Sequence, residues 1–433
     1  MSSHKWLIKN GKFAVSDPEW RIVSGYMLID GDRISYIGED LPEGAEGLPV
    51  HDGKHQLFIP GLINTHGHAA MSLLRGYGDD LALQVWLQEK MWPMEEKFTA
   101  EDVYWGTSLS VLEMLKGGTT AFLDMYDQMN QVAKVVEESG IRASLMRGAI
   151  GFGSDELREF KLKEATTFAR EWHNQADGRI TTMLSPHSPY TCGPQFIEKF
   201  VEAAHALDLP LHTHMSETAA EVEQNVREYG LRPVAHLEKL GFFSRPSLVA
   251  HAVHLTDEEI EVLAKYNVAV AHNPGSNLKL ASGVARVPEL LKAGVVVSLA
   301  TDGAASNNNL DMFEEMRLAA LIHKGVSGDP TAVPATEALR MGTEYGAQSI
   351  YVKDTGVLAT GKKADFIAID LDQAHFLPYT DLISHVIYSA SSKDVQHVWV
   401  DGKQLVKNGE MLTMDEERIK HEAQAAFEGL TSR

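Results

Sequence analysis

Two histidines separated by one glycine, His66-Gly67-His68, close an apolar run that starts at Phe58 and is interrupted by Pro60-Gly61. On an extended chain, residues two apart face the same side, so both imidazoles can meet at one point. Gly67 is expected to leave that approach uncrowded. Neutral imidazoles at a strand end are suitable donors for a divalent ion, but a lone His-x-His pair also arises by chance. Further donors decide between these, and two follow downstream. His214 and Asp302 each end a short apolar run, in His212-Thr213-His214 and Leu299-Ala300-Thr301-Asp302. Three imidazoles and a carboxylate suit one divalent ion per chain, most simply Zn²⁺, with a position left for water. That water would have its pKa lowered toward neutrality. Asp302 could touch both ion and water, take a proton and pass it to a leaving group.

Other residues fit around this set. His251 follows Ser247-Leu248-Val249-Ala250 and either orients the attacking water or serves as a ligand. His254, three residues on, reads as structural. Glu217 stands three residues after His214 and has two readings. It could protonate a ring nitrogen of a heterocycle, or lie in the first turn of a helix opened by Ser216. A second metal would need a bridging acidic group such as a carboxylated lysine. The run ending in Ser185-Pro186-His187 offers no lysine, so one metal is expected.

Residues so far apart converge only if the chain positions them on one rim. Apolar runs at 57–65, 120–125, 143–150, 180–186, 209–213, 247–251, 268–272 and 295–301 alternate with helical stretches. Eight is the number that closes a parallel barrel. The residues at or after these runs are His66 and His68, Asp124, Arg147, His187, His214, His251, His272 and Asp302. Chemically capable groups thus recur at C-terminal strand ends, where barrel enzymes build their sites. His173, His205, His236 and His323 fall elsewhere and read as surface or packing residues. In the first crossover helix Trp105, Leu109, Leu112 and Leu115 share a face, and Lys116-Gly117-Gly118 ends it.

The chain ends read differently. Asp30-Gly31 and Asp401-Gly402 each join two short alternating runs in a hairpin pattern. Neither end can bury a core alone, so residues 1–59 and 356–433 are expected to form one small β-sandwich domain around a catalytic barrel at 60–355. An exposed helical tail is expected over Asp415–Leu430. The fold class is α/β, a (β/α)8 TIM-like barrel with a small β domain from both termini.

Composition narrows the function classes. The 433 residues carry 39 basic and 60 acidic side chains, a net charge of −21. Such a chain lacks the electrostatic footprint of a nucleic-acid binder, and no basic cluster supplies one locally. Cys192 is the only cysteine, which rules out an intrachain disulfide and fits a reducing compartment. No cleavable leader and no run of eighteen apolar residues is visible. A soluble, cytoplasmic protein with no membrane partner is expected, and a homo-oligomer is compatible with the sequence.

Taken together, Pro60-Gly61-Leu62-Ile63-Asn64-Thr65-His66-Gly67-His68, His212-Thr213-His214-Met215-Ser216-Glu217, Ala250-His251, His272-Asn273-Pro274-Gly275-Ser276-Asn277 and Ala300-Thr301-Asp302-Gly303 resemble the amidohydrolase superfamily. The resemblance spans nearly the whole chain and implies a distorted (β/α)8 barrel flanked by a β-sandwich. Within that superfamily, Ala69-Ala70-Met71-Ser72-Leu73-Leu74-Arg75-Gly76, Trp92-Pro93-Met94-Glu95-Glu96-Lys97 and Ser185-Pro186-His187-Ser188-Pro189-Tyr190 look like the 5′-methylthioadenosine/S-adenosylhomocysteine deaminases. The resemblance implies that His66, His68, His214 and Asp302 bind the metal, that Glu217 handles the purine ring nitrogen, and that His251 orients the water. Glu95, Arg147 and His187, with Glu217 and Asp302, would hold the purine nucleoside.

Each substrate residue also has a plain reading. Glu95 could be a solvated charge in Glu95-Glu96-Lys97, or accept from both hydroxyls of a ribose. Arg147 ends an apolar strand, so its charge needs a partner. A substrate carboxylate would serve bidentately, and an internal Asp or Glu would serve equally. Arg158 could help Arg147 with such a carboxylate, or be part of a surface helix. Trp86, Met91 and Trp92 could wall a pocket or simply pack. Two rivals stand beside the deaminase reading. One is another deaminase or chlorohydrolase acting on guanine, cytosine or an s-triazine; the other is a non-catalytic scaffold.

Overall fold

The computed structural model describes residues 5–16 and 19–433. Strands from both ends of the chain share one nine-stranded sheet. Its centre is where the two ends meet: Gln56–Pro60 lies antiparallel to Phe366–Asp370, with Phe58 opposite Ala368. Lys5–Ser16 pairs with the outer side of Gln56–Pro60, and Val395–Val400 with the outer side of Phe366–Asp370. Ile8, Phe13, Met27, Phe58, Phe366 and Trp399 form its buried cluster, and Trp6 stacks on Trp399 at 5.8 Å. Asp401 and Gly402 take φ of 49° and 71°, the paired left-handed conformation of a two-residue hairpin turn. The expected Asp401-Gly402 hairpin is therefore present.

The apolar run expected as one strand over 57–65 is broken in two. Gln56–Pro60 stays in the terminal sheet, and Leu62–Asn64 is the first barrel strand. Pro60 has no N–H to extend a ladder, and at Gly61 the chain passes close to Thr120. A β-carbon there would fall 2.0 Å from Thr120 Oγ1.

The barrel continues through Thr119–Tyr126 and Arg142–Ala149, then a fourth strand split into Ile180–Thr182 and Ser185–Pro186. Leu211–Met215, Ser247–His251, Ala269–His272 and Val297–Leu299 complete it, all parallel to their neighbours. Every residue of these last four strands is buried, as befits a parallel sheet covered by helices. Two seams close the ring. Leu184 bridges to Leu211, and Thr65 N–H donates to Leu299 O at 3.1 Å. Beside the second seam Asp302 N–H donates to His66 O at 3.1 Å, so closure itself brings the first and last strand ends together.

Barrel and terminal sheet are tied by charge as well as by apolar contact. Arg142, at the start of the third barrel strand, donates to both carboxylate oxygens of Asp365 (2.8 and 3.2 Å) and to Asp401 (2.7 Å). All three side chains are buried.

The helix Ala100–Lys116 opens on a Thr99/Asp102 capping box and ends at Gly117. Leu112 and Leu115 are buried on it, whereas Trp105 and Leu109 are half-buried. The tail beyond Asp415 is not the exposed helix its charge suggests. Glu416–Ser432 packs on Ala100–Lys116 and buries Ile419, Ala423 and Leu430, a stripe at helical spacing hidden among charged residues. Arg418 lies over the Trp105 ring at 5.3 Å, and Arg433 bonds both oxygens of Asp102 at 2.8 and 3.0 Å.

Candidate active site

The barrel rim carries a compact cluster of donors. His66, His68 and His214 each offer one nitrogen within 4.8 Å of the others, and His66, His251 and Asp302 form a second such group. The inner nitrogens are aimed by what the outer ones bond. His68 Nδ1–H donates to Met125 O at 2.7 Å and His214 Nδ1–H to His187 O at 2.8 Å. His66 Nδ1 is 3.2 Å from His212 Nε2, whose own Nδ1 is 3.2 Å from Ser185 Oγ. The carbonyl partners assign Nε2 as the free lone pair of His68 and His214, and the His66–His212 contact accommodates the same tautomer of His66.

Asp302 faces them. Its Oδ1 lies 3.4 Å from His66 Nε2 and 3.3 Å from His68 Nε2, while Ser276 Oγ and Ser306 Oγ donate to Oδ2 at 2.7 and 2.9 Å. Burial favours its neutral form, but His66 and His68 outweigh that and hold its carboxyl well below the usual range. Burial pushes His66 down to about 4, and His66 Nε2 is buried with no hydrogen-bond partner. His68 goes the other way. Burial opposes its charged form, yet the Asp302 hydrogen bond and charge bring it up to about 9. The Asp302 carboxylate thus favours positive charge at its edge of the cluster. The orphaned nitrogen, three aligned lone pairs and one carboxylate together fit a divalent cation.

The strand ends are bent to achieve this. Ser216, His251 and Asp302 have φ of 53°, 74° and 62°, left-handed conformations unusual for residues with side chains. Glu217 enters beside the cluster, with Oε2 at 3.7 Å from His251 Nε2. The helix that follows is Ala219–Tyr229, capped by Thr218 and not by Ser216. Instead, the amides of Ser216 and Glu217 donate to the buried Glu221 carboxylate at 2.9 and 2.7 Å. This leaves the Glu217 side chain free to face the cavity, where burial raises its pKa.

The cluster forms the floor of a cavity of about 590 Å³. Trp86, Leu87, Trp92, Phe98 and Phe152 supply apolar wall; Glu95, Tyr126, Arg147, Lys161, His187 and Tyr190 supply polar groups. Residues 57–405 match the amidohydrolase family.

The chain belongs to that family.

Among curated relatives, this amidohydrolase is 52% identical over 380 residues to a 5-methylthioadenosine/S-adenosylhomocysteine deaminase of Dictyoglomus thermophilum, covering 88% of this chain and 89% of the relative. It is 48% identical over 428 residues to a 5′-deoxyadenosine deaminase of Methanosarcina acetivorans, covering 99% and 98%. Among solved structures, a zinc-bound adenosine deaminase of Xanthomonas campestris superposes with a TM-score of 0.91 at 34% identity, covering 99% of each chain. As an amidohydrolase, the chain has a family fold that matches the barrel and terminal sheet described above.

Several expectations are sharpened by the geometry. Glu95 is not a solvated charge: it accepts from Tyr126 Oη at 2.6 Å and faces the cavity, while Glu96 is exposed. His187 lines the cavity, with Nδ1 bonded to Thr191 Oγ1 at 2.9 Å, and burial lowers it to about 3. Arg147 also lines the cavity but has internal partners, Asp127 at 3.0 Å and Glu164 at 3.5 Å. Arg158 turns away to Gly151 O, Gly153 O and Asp155.

Trp86 and Trp92 wall the cavity, whereas Met91 is buried behind it. His254 bonds Ser282 O at 2.8 Å and is structural; His272 pairs with His323 at 3.2 Å, away from the cluster. A β-carbon on Gly67 would meet Leu123 O at 3.5 Å, an ordinary contact, so crowding does not require glycine there.

Tyr126, Lys161, His212, Glu221 and the serines on Asp302 were not singled out by sequence. His212 and Ser276 carried a visible signal, the first as part of a second His-x-His and the second within the His272–Asn277 stretch.

Proposed function

We propose that this amidohydrolase removes the 6-amino group of adenine nucleosides bearing a 5′ thioether, 5′-methylthioadenosine and S-adenosylhomocysteine, by hydrolysis. The carrying observation is the placement of buried Glu217 beside His251 and the His66/His68/His214/Asp302 donor set, with Glu217, His251, His68, His214 and Asp302 lining one cavity. The names of relatives near 50% identity support the substrate class. One divalent ion, most simply Zn²⁺, held by His66, His68, His214 and Asp302 would supply Lewis acidity and acidify a water there.

The residues then divide the proton work. Asp302, oriented by Ser276 and Ser306, accepts the proton lost by the attacking water. His251 Nε2 orients that water, its Nδ1 being engaged by Asn277 at 2.9 Å. Glu217, its pKa raised by burial, delivers a proton to the purine ring nitrogen as the C6–O bond forms. The proton held by Asp302 passes to the amine, the C6–N bond breaks as the C6 hydroxyl becomes a carbonyl and returns its proton to Glu217, and ammonia leaves a hypoxanthine nucleoside. Glu95, fixed by Tyr126, accepts from the ribose hydroxyls.

A panel of adenosine, 5′-methylthioadenosine, 5′-deoxyadenosine, S-adenosylhomocysteine, guanine, cytosine and a chlorotriazine tests this reading by ammonia or chloride release. Turnover of the two thioether nucleosides is expected. Turnover of guanine or the chlorotriazine with neither thioether nucleoside would replace this reading with that of a free-base deaminase or chlorohydrolase.

A further inference from the structure

Three consecutive residues mark depth along one wall of the cavity. Met125 O holds His68 in the donor cluster, Tyr126 Oη holds Glu95, and Asp127 bonds Arg147. Exposure rises in the same order. Met125 is buried, Tyr126 is half-buried, and the Asp127 side chain is 55% exposed. A nucleoside with its base at the metal cluster and its ribose at Glu95 therefore points its 5′ substituent at Asp127 and Arg147.

The charges at this outer end are unequally paired. Arg147 has two carboxylates, Asp127 at 3.0 Å and Glu164 at 3.5 Å, and also donates to Gly148 O. Its guanidinium is already more than neutralised. Lys161, from the helix Asp155–Trp172, lines the same cavity, and its Nζ donates to Ile150 O at 2.8 Å. Among the described residues no carboxylate lies within 4.0 Å of that ammonium. A backbone carbonyl is a weaker acceptor for it than a carboxylate, which would form a charge-assisted bond.

We propose that Lys161 is a specificity-determining residue that receives the carboxylate of an anionic 5′ substituent, while Asp127, by occupying Arg147, limits the pocket's preference for such substrates. This rests on the adenine-nucleoside deaminase reading. S-Adenosylhomocysteine, with an amino-acid tail, is the anionic case; 5′-methylthioadenosine is the neutral one. The readout is the ratio of kcat/KM for the first to kcat/KM for the second, which cancels effects on the chemistry shared by both.

The holoenzyme and its K161M, K161R and D127N variants are compared on both nucleosides. K161M is expected to lower the ratio about tenfold or more, mainly through KM for S-adenosylhomocysteine. K161R should hold the ratio within about threefold of wild type, because it keeps the charge. D127N should raise it by freeing Arg147. An unchanged ratio in K161M, or a K161R ratio as low as that of K161M, overturns the role of Lys161; an unchanged ratio in D127N overturns that of Asp127; either leaves the deaminase reading intact. Failure of the wild type to turn over either nucleoside overturns the deaminase reading and this proposal with it.

Discussion

Glu217 and His251 reach the same point from two different strands, with Oε2 and Nε2 3.7 Å apart and both side chains buried. Each is held from behind. Glu221 takes the Glu217 amide, and Asn277 takes His251 Nδ1. In the proposed reading, the acid and the water-orienting imidazole are thus fixed before substrate arrives, which is what proton transfer at a single ring edge demands.

If Glu217 is the proton donor, E217Q removes the proton and keeps the shape. Its kcat on 5′-methylthioadenosine should fall about 10²- to 10⁴-fold while metal content stays at the wild-type level. Steady-state kinetics with elemental analysis of the same sample checks both halves. A kcat within a few-fold of wild type would remove Glu217 from the reaction.

In the proposed reading, the Glu95–Tyr126 pair separates recognition of the sugar from chemistry at the base. E95Q keeps the size but weakens acceptance from the two ribose hydroxyls, so KM for 5′-methylthioadenosine should rise about tenfold or more, with the smaller effect on kcat. An enzyme reading only a free base would show little change. Initial rates over a range of nucleoside concentrations distinguish the two.

Arg142 is the buried cation between the barrel and the terminal sheet. R142M leaves Asp365 and Asp401 with an uncompensated share of charge and should cost about 3–5 kcal/mol of stability. Urea unfolding followed by far-UV circular dichroism measures it. A loss below about 1 kcal/mol would mean that apolar packing alone holds the two parts together.

His397 gives the terminal sheet a pH dependence. Its Nδ1 accepts from the Asn408 amide at 3.1 Å, and burial, helped by His51, lowers its pKa to about 4. An unfolded histidine binds a proton below about 6.5. Between those values the unfolded state holds more protons, so stability is greatest above about pH 6.5 and declines as pH falls toward 4. Unfolding free energies from urea titrations at pH 7 and pH 5 should differ by up to about 2 kcal/mol from this group. H397Q should flatten that part of the profile.

The parts legible in the sequence are those set by local periodicity and by strand termini. His66, His68, His214 and Asp302 could be found because each closes an apolar run, and barrel strands present their ends on one rim. The handover at Pro60-Gly61 was legible as an interruption of the apolar run, and the approach of Thr120 shows why glycine stands there. Glu217 stayed ambiguous because its distinction from a cap residue depends on the left-handed Ser216 and on Glu221, four residues further on. Lys161 was invisible for a similar reason. On a charged helix it looks like any solvated lysine, and only the fold turns it toward the cavity. The tail helix was misjudged because its buried stripe is just Ile419, Ala423 and Leu430 among charged residues.

The central claim is that one metal at the His66/His68/His214/Asp302 cluster supports deamination of a thioether nucleoside. Stripping the protein with a chelator and restoring Zn²⁺ in steps, while following ammonia release from 5′-methylthioadenosine, tests it directly. Activity should vanish on stripping and rise to a plateau at one equivalent per chain. Ammonia release by the stripped protein, a plateau only at two equivalents, or no release at full loading would contradict it.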